Sequence, residues 1–221
     1  MPFFHAGPAP RAAGPRPGLL RDGLDLAPGM AVGLFGGSFN PAHDGHAHVA
    51  ETAMRRLGLD RVVWLVSPQN PLKDASETAP LAERMASAQA AARLAAHGPS
   101  MIVSDVETRL GTHWTIDTLR ALSCRHPQVR FVWLMGADNL AGFHRWRGWT
   151  DIMRLMPMAV IARPGSLLNS RSAPAAARFA EARVPSEKAL LLPHMRAPAW
   201  TYLTAPLNHQ SSTALRAAAR S

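Results

Sequence analysis

The sequence predicts a doubly wound α/β fold, with a mostly parallel sheet and helices on both faces, and three observations carry that expectation. Short runs of largely apolar residues punctuate the chain at Met30–Phe35, Arg61–Val66, Met101–Ser104, Val129–Met135 and Met158–Ala162. Apolar residues at consecutive positions mark strands buried on both faces, the usual condition of a parallel sheet. After the first run, Val49, Ala53 and Leu57 recur every four residues with Ala50 and Met54 beside them, which is one face of a helix. Finally, 221 residues suffice for one sizeable core but not comfortably for two.

Composition narrows the class. Hydrophobic residues make up 47% and charged residues 18%, as in soluble globular proteins. No apolar run approaches the roughly 18 residues needed to cross a bilayer, so no membrane partner is expected. The single cysteine, Cys124, cannot form an internal disulfide, which fits a reducing cytoplasm. The net charge is +9, with Lys73 and Lys188 the only lysines, but the arginines are scattered from Arg11 to Arg220. No dedicated nucleic-acid face or RNA-recognition motif is visible, so no nucleic-acid partner is expected. A basic RNA-binding protein is the rival from another class, and it requires tight, salt-sensitive polynucleotide binding.

Residues 1–28 are rich in Pro, Gly, Ala and Arg and lack periodicity, so a disordered or loosely attached extension is expected ahead of a domain at 29–221. Arg11, Arg16 and Arg21 precede any strong acidic content, but no apolar segment or cleavage motif marks a secretory leader. A misassigned translational start or a dispensable tail fits equally.

The densest chemistry lies at Gly36-Gly37-Ser38-Phe39-Asn40-Pro41-Ala42-His43-Asp44-Gly45-His46. A strand turning through glycines into a helix gathers backbone N–H groups and a positive dipole end at one spot, which suits a phosphate. Gly36 and Gly37 permit close backbone approach, and Pro41 fixes the loop before the helix. His43 and His46, three apart, project from one side of a helical turn. Paired imidazoles can donate hydrogen bonds to phosphoryl oxygens where charge gathers. Zinc on His43, His46 and His48 is the alternative, but no cysteine or carboxylate completes a recognisable local ligand set.

Further along, Ser67-Pro68-Gln69-Asn70-Pro71-Leu72-Lys73 forms a loop at a strand's carboxyl end, where open α/β sheets bind ligands. Residues 80–97 read as a helix with Leu81, Met85, Ala88 and Ala92 on the core face and Glu83, Arg84 and Arg93 toward water. Thr115 is placed to cap the helix carrying Ile116, Leu119 and Leu122. Small residues before Asp138 leave room for a nucleotide, whose ribose hydroxyls a carboxylate can accept. Trp146 and Trp149 suit either a stacking platform or the core of a short helix. Leu190–Leu192 and Trp200–Leu203 are expected to complete the sheet. Near the end, Ser211 or Ser212 can cap a helix with Arg216 on the same side, a second anion site or an ordinary surface helix.

Taken together, the pattern G-G-S-F-N-P-x-H-x-G-H in strand-turn-helix context resembles the signature of Rossmann-like nucleotidyltransferases, specifically bacterial nicotinate-nucleotide adenylyltransferases. The resemblance spans about residues 30–220. It implies ATP and nicotinate mononucleotide as substrates, Mg2+ accompanying ATP, and nicotinate adenine dinucleotide and pyrophosphate as products. It assigns His43 and His46 to the α and β phosphates, with Gly36, Gly37, Ser38 and Phe39 forming the cradle. Asn70 and Lys73 match a substrate-side motif, Trp114 and Thr115 an element holding the pyridine ring, and Trp146 a tryptophan stacking on that ring. Asp138 is assigned to the ribose and Arg163 to the vicinity of the adenine. Ser211, Ser212 and Arg216 match the motif that holds the leaving pyrophosphate, within a small helical C-terminal portion that closes over the phosphates. Gln210 and Leu215 depart from two isoleucines of that motif. Phosphopantetheine adenylyltransferase shares the chemistry, but its relatives usually carry threonine at the place of His43.

Overall fold

The computed structural model describes residues 22–68, 78–162 and 173–204. Seven strands form one parallel sheet: β1 Ala31–Gly37, β2 Arg61–Val66, β3 Met101–Ser104, β4 Arg130–Gly136, β5 Met158–Ala162, β6 Arg183–Val184 and β7 Trp200–Thr204. Their spatial order is β3-β2-β1-β4-β5-β7-β6. Both faces are covered, which is why the central strands are apolar at consecutive positions and not at alternate ones.

One face packs against α1 (Asp44–Leu57), α2 (Leu81–Leu94) and the 3-10 segment Ser186–His194. The other is covered by α3 (Val106–Leu110), α4 (Thr115–Arg125), α5 (Ala137–Gly142), α6 (Trp149–Leu155) and α7 (Pro174–Arg178). Strand residues divide between the faces by parity: Val32, Leu34 and Trp133 serve the second core, Phe35, Val132 and Leu134 the first. Among the described residues, no helix is long and apolar enough to cross a membrane.

Four details differ from expectation. Leu190–Leu192 are not a strand but part of the 3-10 segment, where Leu190 and Leu191 are exposed and only Leu192 is buried. Burial on one side alone does not meet the demands of this sheet, and the edge beside β7 is taken by Arg183–Val184. The helix expected over 80–97 ends at Leu94; its expected core face packs as read, with Ala88 and Ala92 buried and Leu81 and Met85 partly buried against the core, but Arg84, expected toward water, is buried beside them. Trp114, not Thr115, is the extended residue at the start of α4, and no side chain caps that end.

Residues 22–28, assigned by composition to the extension, pack on the domain. The Asp22 carboxylate accepts the Leu24 N–H at 3.0 Å and meets His126 Nε2 at 2.7 Å, while Leu24 is buried in the core. Residues 1–21 lie outside the described part.

Candidate active site

The order of strands reverses between β1 and β4, so the chain leaves their carboxyl ends in opposite directions and opens a crevice there. The segment after β1 supplies one wall and the start of α5 the other. Gly36 and Gly37 are the last two residues of β1, paired with Leu65 and Val66 of β2, and the bend follows them at 38–43. Their smallness serves packing on opposite faces. A methyl at Gly36 would collide with Cη2 of the buried Trp133 ring, and one at Gly37 would press on the Phe39 ring at 3.1 Å.

Phe39 has φ of 46°, a left-handed conformation uncommon for a bulky residue. Its ring over-determines it. The ring is buried, stacks on Trp64 at 5.1 Å and meets Phe35 edge-on at 5.5 Å. Burial of an aromatic ring of this size offsets the roughly 1–3 kcal/mol cost of the backbone conformation.

His43 is the N-cap of α1, its backbone extended, and its Nδ1 accepts the Gly45 N–H at 3.0 Å. His46 returns the favour, its Nδ1 accepting the His43 N–H at 3.3 Å. Two histidines thus form a capping box, the role commonly filled by a Ser or Thr paired with Glu. The rings stand 4.1 Å apart between centroids, and His46 rests edge-on against Phe39 at 5.1 Å. Since each Nδ1 is an acceptor, the network assigns the ring proton of each neutral imidazole to Nε2. The box therefore fixes both the tautomer and the direction of two Nε2–H donors at the positive end of a 14-residue helix. Spacing alone announced a common side; the reciprocal backbone bonds come from the structure.

Across the crevice, α5 begins directly after β4, and Asp138 is exposed in its first turn. A side chain at Gly136 would meet Asp138 Oδ1, so a small residue is required there. Trp146 is half-buried, edge-on to Phe143 at 5.4 Å and to Trp133 at 6.4 Å. Trp133 therefore spans from Gly36 to Trp146, linking the two walls. Trp114 is half-buried with the Arg147 guanidinium 5.3 Å over its ring, and Gly148 packs beside Ile116. The Trp114–Thr115 and Trp146 elements are thus neighbours. Asn70, Lys73, Arg163, Ser211, Ser212 and Arg216 lie outside the described residues.

Below Trp114 lies a carboxyl that sequence reading passed over. Thr118 Oγ1 stands 3.4 Å from both Glu107 Oε1 and the Trp114 carbonyl, and 2.7 Å from Thr112 Oγ1. Burial pushes the Glu107 carboxyl up to about 7, with the Thr118 hydrogen bond opposing the rise. The folded protein thus binds this proton more tightly than the unfolded chain. Its contribution to stability is complete below the unfolded value near 4.5 and is lost as pH rises through about 7. Melting should fall by several degrees between pH 5 and pH 8.5, corresponding to about 1–2 kcal/mol after allowance for solvent. E107Q should flatten that slope when both proteins are followed by calorimetry, whereas equal slopes would deny Glu107 the effect.

Arg84 is the other residue missed. Assigned to water by its class, it is 2% exposed and donates to four carbonyls, those of Ser38, Ser67, Pro68 and Ala79. The available signal was its place on the alanine stripe of 88, 91 and 92.

A parallel α/β sheet with an imidazole-bearing turn at its point of strand reversal is nucleotidyltransferase architecture, and a sequence model of the cytidylyltransferase-like family matches residues 34–218. Similar proteins narrow the class. One from a Caulobacter species, named probable nicotinate-nucleotide adenylyltransferase, is 67% identical over 85% of this chain and 97% of its own length. Relatives of the same name from Roseobacter denitrificans and Rhizobium meliloti are 52% and 53% identical, over 89% and 86% of this chain and 97% and 98% of theirs. The chain belongs to the nicotinate-nucleotide adenylyltransferase family. A solved Plasmodium falciparum nicotinic acid mononucleotide adenylyltransferase, complexed with NaAD, shares the fold at a TM-score of 0.63 and 15% identity, covering 85% of this chain and 83% of that one.

Proposed function

We propose that this protein joins nicotinate mononucleotide and ATP to give nicotinate adenine dinucleotide and pyrophosphate, a step of NAD biosynthesis. The observation that supports the reading is the histidine capping box at the N-terminus of α1, directly after β1, which engages both Nδ1 atoms with the backbone and leaves Nε2 as the protonated ring nitrogen of each neutral imidazole beside the point where strand order reverses. The mononucleotide phosphate attacks the α-phosphorus of ATP in line, and the bond to the β-phosphate bridging oxygen breaks. The attacking oxygen is already anionic at neutral pH, so positioning and charge stabilisation supply most of the acceleration.

In this reading Nε2–H of His46 donates to a non-bridging α-phosphate oxygen where charge grows, and His43 steadies the α and β phosphates. Gly36, Gly37, Ser38 and Phe39 shape the cradle. Asp138 accepts from ribose hydroxyls, and Trp146 offers its indole face to the pyridinium ring, with Trp114 and Thr115 beside it. Asn70 and Lys73 contact the mononucleotide, Arg163 lies by the adenine, and Ser211, Ser212 and Arg216 hold the leaving pyrophosphate. Magnesium would enter as part of the substrate, MgATP, and offset the negative charge of its phosphates. Cys124, exposed and unpaired by any disulfide, suits a cytoplasmic enzyme.

Pyrophosphate release from MgATP, measured in parallel with nicotinate mononucleotide, nicotinamide mononucleotide and phosphopantetheine, tests this directly. Release with the first should exceed release with the last by orders of magnitude. Turnover with phosphopantetheine alone, or with none, overturns the reading.

A further inference from the structure

We propose that Arg84 is a positioning residue for the phosphate cradle: its buried guanidinium locks the Ser38 peptide so that the Phe39 N–H is presented to the triphosphate. The inference rests on the function proposed above and adds a residue outside the crevice motifs.

Two loops meet at this side chain, the bend after β1 and both ends of the connection from β2 to α2. Nη1 donates to Ser38 O at 2.9 Å and to Ser67 O at 2.7 Å, Nη2 to Pro68 O at 2.8 Å, and Nε to Ala79 O at 2.8 Å. The first acceptor lies in the bend after β1, the next two just beyond β2, and the last immediately before α2. A planar fork can serve separated acceptors at fixed angles; an ammonium on a flexible stem cannot. Other bonds from the same region brace the bend. Ser87 Oγ accepts the Ala42 N–H at 3.2 Å and donates to Arg84 O at 2.9 Å, and Asn40 Oδ1 accepts the Ala79 N–H at 3.2 Å.

The choice of Ser38 as an acceptor has a chemical consequence. Ser38 C=O and Phe39 N–H are two ends of one peptide group, so a cation on the oxygen draws electrons from the nitrogen and strengthens its N–H as a donor. The positive charge is thereby relayed from a buried side chain to a backbone group in the bend. Phe39 is also the residue held at φ of 46°, so the orientation of this peptide is set from both sides, by the guanidinium and by the buried ring. Its acceptors are all neutral carbonyls, and burial lowers the guanidinium's pKa from its usual value, although an arginine stays charged at neutral pH. A buried charge held by backbone dipoles alone is costly for mere packing, and here the dipoles belong to the loops that frame the crevice.

The test compares wild type with R84K and R84M in MgATP and nicotinate mononucleotide turnover, using inorganic tripolyphosphate as the inhibitor. R84K keeps the charge and loses the fork. It should raise KM for MgATP about tenfold and weaken tripolyphosphate inhibition by the same factor, with kcat changed by less than threefold. R84M should weaken both further. If Arg84 only holds the fold together, melting temperature and kcat drop while KM and the inhibition constant stay at wild-type values, and the inference is overturned. A measurement on unaltered protein complements the variants: adding tripolyphosphate should shift the Phe39 amide resonance in a nitrogen–proton correlation spectrum, and an unmoved Phe39 also overturns it. An inactive wild type sinks the proposed function instead, which separates the two failures.

Discussion

H46A should lower kcat for pyrophosphate release by about a hundred- to a thousandfold while raising KM for MgATP far less. The asymmetry follows from where charge changes. In the proposed reading several donors share the ground-state triphosphate, whereas the extra negative charge on the α-phosphate oxygens exists only during transfer, so a donor to those oxygens acts mainly on kcat. Removing one such donor typically costs two to three orders of magnitude in rate. Structure supplies the control. Loss of the His46 ring also deprives the His43 N–H of its acceptor, worth about 1 kcal/mol as a lost cap and a few degrees in melting. A small thermal shift beside a large kcat loss is the expected pair of results, and unchanged turnover removes His46 from the mechanism.

G36A should be the most damaging small change to stability, costing about 3 kcal/mol and lowering the melting temperature by roughly 6–12 °C. The added methyl would occupy the space of Trp133 Cη2, and that indole is 1% exposed within a packed core. A ring at the free end of an exposed, flexible side chain would swing aside, but this one is enclosed by the second core and abuts Trp146. Displacing Trp133 therefore disturbs Trp146 too, so if Trp146 stacks on the pyridine ring as proposed, KM for the mononucleotide should rise along with the loss of stability. Replacing Trp133 by phenylalanine in the G36A background should recover part of the lost stability, a coupling between touching residues that a double-mutant cycle reads by calorimetry. Additive losses would mean that the methyl is accommodated in some other way.

The strands of the central sheet were legible because burial on both faces leaves one mark, consecutive apolar residues, and β1, β2, β4 and β5 carry it plainly. The same mark misled at Leu190–Leu192, since three leucines in a 3-10 segment beside α1 read no differently from a buried strand. The paired glycines and histidines announced the turn, but not how it is held. That a histidine can replace serine in a capping box depends on which ring nitrogen faces the backbone, a matter of rotamer and not of composition. Arg84 was hidden for a deeper reason. A charged side chain is assigned to solvent unless its acceptors are known, and its acceptors are backbone carbonyls whose convergence exists only after folding. Asp22 was missed in the same way, its partner His126 lying 104 residues away along the chain.

The most direct measurement is a crystal structure of the protein with a non-hydrolysable ATP analogue and magnesium. The α-phosphate is expected against the 37–39 bend, within hydrogen-bonding reach of Nε2 of His46, with the ribose toward Asp138. A nucleotide bound elsewhere, leaving that bend and both imidazoles without contact to phosphate, would contradict the assignment of this turn as the site of transfer.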